Sequence, residues 1–193
     1  AAAPVEAFDA ATAASTPEAR ADAVREIVAA CAAEGAKAAG AFSVVDGEVG
    51  NYGELGPVAD RHSRGLFRDH ASTAASFTLT VTHGDSTGWA TADSWRLADF
   101  DPVALGRRAL GKALLGREPR DLAPGRYTVV LEPAAVTELV AWFLSGAFSA
   151  QAVDEGRSPL SGKLGSRIGG ENVTLVGDHA ALRGPPFDEE GMP

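Results

Sequence analysis

Between Ser15 and Gly116 the apolar positions recur first at helical spacing, then at every second residue, then at helical spacing again. Ala23, Val24, Ile27, Val28 and Cys31 share one stripe. Ser15-Thr16-Pro17-Glu18 precedes them with a hydroxyl cap, a proline whose missing N–H is harmless in a first turn, and an acid to close a capping box from Ser15. This predicts a helix to about Glu34, stopped by Gly35. Further on, Phe77, Leu79 and Val81 alternate with Thr78, Thr80 and Thr82, the pattern of a strand with one buried face and one hydroxyl-bearing face. Asp101-Pro102 opens a second helix with Val103, Leu105, Ala109, Leu110, Ala113 and Leu114 as its apolar set, ending at Gly116.

Turn chemistry fills in the rest. Asp46-Gly47 lies between two β-type runs, Ala38–Val45 and Glu48 onward, and predicts a tight hairpin with positive φ at both central residues. Arg61–His70 reads as extended, and His83–Gly88 turns the chain into a further strand beginning at Trp89. The polar, proline-containing stretch Arg117–Gly125 reads as a linker. The first domain, residues 1–121, is therefore expected to be α+β: three to five antiparallel strands in a two-layer arrangement with helices on one face. Residues 122–193 are expected to begin a second, β-rich domain: a strand at 126–131, a helix from 133 to about 144, an irregular stretch through Lys163, and a strand at 172–176.

Composition narrows the function. The chain has 193 residues, is 45% hydrophobic and carries a net charge of −9, enough apolar content for a core and a charge balance that argues against direct nucleic-acid binding. One cysteine permits no internal disulfide, and no apolar run approaches the ~18 residues of a membrane span. The N-terminus lacks the basic and apolar regions of a signal peptide, so the expected location is cytoplasmic, with no nucleic-acid or membrane partner.

The segment Arg126–Pro193 carries the clearest signal. Its strand-like Tyr127–Leu131 passes through Glu132-Pro133 into an apolar helix, and a Gly- and Ser-rich stretch leads to the β-type run Val173–Val176. In this it resembles the TldD/PmbA family of two-subunit metalloproteases, in pattern from Phe8 to Pro193. Metal-bearing members carry HExxxH on that helix. The equivalent stretch here, Ala141, Trp142, Phe143, Leu144, Ser145 and Gly146, has no imidazole and no carboxylate, whereas catalytic zinc takes about three such ligands plus water. The resemblance is therefore to the metal-free, PmbA/TldE-like branch. It implies a non-catalytic subunit paired with a homologous metal-bearing TldD-like subunit that holds the zinc, the two acting on unfolded peptide. Family members continue into a large β-rich portion beyond the Asp188-Glu-Glu-Gly-Met-Pro193 end, so a fragment is expected.

Other candidate chemistry is weaker. His62, His70, His83 and His179 form no HxH, HxxH or HxxxH pair, and His62 and His70 on one strand would stand about 27 Å apart. They are expected as hydrogen-bond partners on sheet faces. Gly156-Arg-Ser-Pro-Leu-Ser-Gly-Lys163 lacks P-loop spacing, and neither Ser158 nor Ser161 has the setting of an activated nucleophile. The resemblance instead sets this loop beside a peptide cavity, with Arg157 and Ser158 as candidate substrate-binding residues and a plain structural turn as the competing reading. Cys31 is expected in the core, Asp178–Glu190 as a solvated acidic loop without EF-hand spacing, and Trp142, Phe143 and Leu144 as core or as filling for the vacated metal pocket. Two rival functions stand beside the first: a stand-alone metallopeptidase with its ligands elsewhere, and an interaction module without a role in proteolysis.

Overall fold

A computed structural model describes residues 5–52, 67–176, 178, 181 and 183–185. In chain order the elements are α1 (Ala10–Ala13), α2 (Pro17–Ala33), β1 (Lys37–Tyr52), β2 (Phe67–His83), β3 (Ser86–Ser94), a 3-10 turn (Leu97–Asp99), α3 (Pro102–Leu115), α4 (Pro133–Ala147) and α5 (Ala150–Asp154). The chain separates into two compact units, one of Ala1–Asp121 with Asp178–Pro193, the other of Leu122–Gly177.

The first unit is the α+β domain expected from the pattern, a three-stranded antiparallel sheet in the order β1-β2-β3 packed against helices. Phe77, Leu79 and Val81 of β2 meet Ile27 and Cys31 of α2 and Leu105, Ala109, Leu110 and Ala113 of α3 in one core. The opposite sheet face carries the exposed Thr80, Thr82 and Thr87. The α2 stripe is narrower than its spacing suggested: Ile27 and Cys31 are buried, but Val24 and Val28 lie exposed beside β1. Burial raises the pKa of the Cys31 thiol by penalising the thiolate.

Both main helices begin and end where their caps dictate. Thr16, not Ser15, is the N-cap of α2, accepting from the Ala19 amide at 3.3 Å. Gly35, at φ +69°, reverses the chain after α2 while the Ala36 amide donates to Cys31 O at 2.9 Å. Asp101 caps α3 by accepting from the Val103 and Ala104 amides. Two glycines let α3 settle deeply onto its neighbours. A Cβ at Gly88 of β3 would run into the carbonyl oxygen of Ala109 and stand 2.6 Å from the Ala113 nitrogen. A Cβ at Gly106 would come within 2.6 Å of Ile27 on α2.

Three sequence expectations fail in this unit or need moving. Asp46-Gly47 is no hairpin. Both residues lie inside β1, opposite Thr73 and Ser72, and Gly47 does not have positive φ. The Asp-Gly signal is local, and the long β2 offers partners along the whole of β1, so the ladder satisfies the backbone without a turn. β3 begins at Ser86 rather than Trp89, because Gly84 at φ +61° makes the reversal and His83 pairs directly with Ser86. Of the expected extended run 61–70, residues 67–70 belong to β2 and residues 61–66 lie outside the described residues.

Where β2 outruns β3, a polar corner closes the sheet. Ala7 forms a parallel bridge with Ser72, and the Thr73 amide donates to Ala7 O. Thr73 Oγ1 donates to Trp95 O at 2.6 Å, and the Asp9 amide donates to Thr73 Oγ1 at 3.0 Å. Asp9 caps α1, its carboxylate accepting from both the hydroxyl and the amide of Thr12, while Thr12 Oγ1 accepts from the Leu97 amide. These Thr12 hydrogen bonds, the hydroxyl first, hold the Asp9 carboxyl below the usual aspartate range.

Two outcomes are expected. Gly88→Ala lowers stability by about 2–4 kcal/mol, since backbone must shift, whereas Gly47→Ala, with nothing within 4 Å of its Cβ, is neutral or raises it; urea midpoints of the two variants decide. Because the folded pKa of Asp9 is depressed, its contribution is complete above the unfolded value and is lost as pH falls below about 4. Asp9→Asn is therefore expected to be less stable at neutral pH and to show a shallower fall in denaturation midpoint between about pH 4 and 2.

Candidate functional site

The second unit is built on α4. Pro133 occupies its first turn, and its only polar side chains are Thr137, Glu138 and Ser145, so its apolar residues outnumber what it buries and Val136, Leu139 and Trp142 all remain exposed. After Phe148, Ser149 caps the short α5 by accepting from the Ala152 amide. Gly156 at φ +70° then ends α5, with the Arg157 and Ser158 amides both donating to Ala152 O.

The expected strands at 126–131 and 172–176 are absent: both segments lie outside any ladder among the described residues. Their composition is β-like, but a strand forms only with a partner for its N–H and C=O groups, and no described segment supplies one. The helix expected from 133 is present and runs further, to Ala147.

Ser158 is buried and its hydroxyl is committed twice, donating to Ala147 O at 2.6 Å and accepting from the Leu160 amide at 3.0 Å. Ser161 Oγ donates to Val153 O at 3.0 Å. Successive turns carry the loop onward through Gly162 and Gly165, both at positive φ. The two serines thus staple the loop to the ends of α4 and α5. Arg157 is exposed beside Ser158, its Nε donating to Glu155 at 2.7 Å. Hydrogen bonds from Gln151 and then Arg157 hold the Glu155 carboxyl below its ordinary value.

Two open apolar grooves flank this loop. One, of about 480 Å³, is lined chiefly by Ala147, Phe148, Val153, Leu160, Leu164 and Ile168. The other, of about 550 Å³, is lined by Leu139, Val140, Phe148, Ile168, Val173 and Leu175. Phe148 and Ile168 belong to both. The first groove also carries Asp154, Lys163 and Ser166 in its lining, and the second Ser166, Arg167, Glu171 and Thr174, so each combines apolar walls with a few charged or hydroxyl-bearing residues.

Two of the four histidines are described. His70 is buried in the polar corner of the first unit, His83 sits at the β2–β3 turn with a buried, unpartnered Nδ1, and His62 and His179 lie outside the described residues. Among the described residues no three His, Cys, Asp or Glu side chains form a group able to hold a metal ion, and no helix is long and apolar enough to cross a membrane. Ala141 and Trp142 are exposed on α4, and Ala147 at its end is buried. The acidic run 178–190 is described only in part; there Asp178 accepts from the Ala181 amide. Sequence reasoning did not anticipate the grooves, because Leu139, Phe148, Ile168 and Leu175 share no periodicity.

Residues 124–193 match the family model described as the PmbA/TldA metallopeptidase C-terminal domain. An uncharacterized protein of Methanocaldococcus jannaschii is 28% identical over 141 residues, covering 72% of this chain and 33% of that protein. The chain thus spans about a third of the length of this curated relative. No solved structure matches it.

Ser158→Ala removes both hydroxyl bonds and leaves Ala147 O buried without its partner, which is expected to destabilise the loop by about 1–3 kcal/mol. Faster amide exchange of Leu160, Ser161 and Lys163, with β2 amides unchanged, is the expected reading; Arg157→Ala should leave these rates unaltered.

Proposed function

The chain belongs to the TldD/PmbA family through residues 124–193, and from that premise we propose that it is part of a metal-free, non-catalytic subunit that helps a metal-bearing homologue process unfolded peptide. The observation that carries this reading is the make-up of α4. Where metal-bearing members have HExxxH, this helix has Ala141-Trp-Phe-Leu-Ser-Gly146. These residues do not fit zinc, which takes imidazole, thiolate or carboxylate ligands. No catalytic step is therefore assigned to this chain; zinc-activated water belongs to the partner subunit.

What this chain contributes is surface for an extended chain. The grooves beside the 156–166 loop offer apolar walls, and the exposed Arg157, which lines neither groove and pairs with Glu155, is the residue this reading assigns to a peptide backbone. Ser158 serves indirectly, by fixing the loop that presents Arg157. Such a surface is tolerant of sequence, which suits unfolded substrates.

The full-length protein is expected to purify without stoichiometric zinc and without peptidase activity of its own. It is expected to gain chelator-sensitive peptide cleavage when combined with its HExxxH-bearing homologue. About one tightly held zinc per chain, or chelator-sensitive cleavage by the isolated protein, would overturn the proposal.

A further inference from the structure

The chain leaves the first unit after Asp121 and rejoins it at Asp178. The family model, by contrast, counts everything from 124 to 193 as one domain. The described residues after 177 therefore belong in sequence with one unit and in space with the other.

Arg183 makes that attachment. Its guanidinium lies over the Trp95 ring at 4.2 Å and donates to the Glu6 carbonyl oxygen. Its own carbonyl meets His70 Nε2 at 3.2 Å, and since a carbonyl only accepts, that nitrogen carries the hydrogen. Three contacts from one residue thus reach the N-terminal segment, β2 and the end of β3. The surrounding charges are compensated. Arg96 also lies over Trp95, at 4.9 Å, and pairs with Asp99 at 2.7 Å, a carboxylate that feels Arg183 as well.

Arg183 is held at φ +52°, in the left-handed region that a side chain with a Cβ seldom occupies. Such a conformation persists only where surrounding contacts over-determine it, and it favours release once they are lost. The residue that closes the attachment is also the strained one.

We propose that residues 183–185 form a strap with a latched and an unlatched state, and that Arg183, seated on Trp95, is the latch. Latched, the strap returns the chain to the first unit. Unlatched, Arg183 relaxes and the segment is free to follow the domain to which its sequence assigns it.

Trypsin reads the latch directly, because the Arg183-Gly184 bond is cleavable only when the strap leaves its seat. In the native full-length protein, cleavage there is expected to be at least about tenfold slower than after the exposed Arg117 or Arg120. Trp95→Leu should accelerate cleavage at Arg183 about tenfold or more while leaving cleavage after Arg107 within α3 unchanged, and Trp89→Leu should alter neither. Arg183→Lys keeps a trypsin site and leaves the first unit intact, but its ammonium cannot stack as a planar guanidinium does. It too should be cleaved several-fold faster than the wild type. Wild-type cleavage at Arg183 as fast as at Arg117, or an unchanged rate in Arg183→Lys, would overturn the proposal whatever the fate of the Trp95 variant.

Discussion

The close approach of α3 to β3 sets the geometry of the first unit. Backbone meets backbone there, because Gly88 faces Ala109 and Ala113 with no side chain between them. That contact fixes how deeply α3 sits, and so which of its residues reach Phe77, Leu79 and Val81. Gly106 repeats the device against Ile27 and brings α2 into the same layer. Interiors pack at crystal density, so a methyl group inserted between two backbones has nowhere to go. Along the seam α3 therefore presents the small Gly106, Ala109 and Ala113, while its Leu105 and Leu110 join Phe77, Leu79 and Val81 of β2 in filling the core.

Much of this unit was legible because the signals were local. Asp101-Pro102 and Gly116 bound α3, and the Phe77–Val81 alternation names the buried face of β2. The misses share a cause. Asp46-Gly47 has the composition of a turn but lies in a ladder whose partners come from residues 72–73. Val173–Val176 has the composition of a strand but no ladder among the described residues. In both cases the deciding groups stand elsewhere in the chain, and no window of sequence contains them.

The candidate site was legible in a different way. That Ala141–Gly146 holds no imidazole, thiolate or carboxylate is visible in sequence, because ligand chemistry is a matter of residue type. The role of Ser158 was not. Its type suits a peptide contact, yet its position beneath Ala147 O turns its hydroxyl inward. Arg157 and Ser158 are adjacent in sequence, and the turn at Gly156 sends one to the surface and the other to the interior.

Among the described residues, the long β1 strand also forms an outer edge of the sheet. A sheet ends somewhere, and an unpaired edge invites strands from other molecules. β2 has part of its other edge covered by the Ala7 bridge, whereas no described segment pairs with the outer edge of β1. Lys37, Asp46 and Glu48 are exposed along it, and Gly40 and Ala41 offer little side-chain surface between them. Charges spaced along an edge must be desolvated before another strand can add, and small residues provide little apolar contact in return. The same run whose Asp-Gly pair resembles a turn therefore lays exposed carboxylates along this edge, and each raises the cost of adding a further strand there.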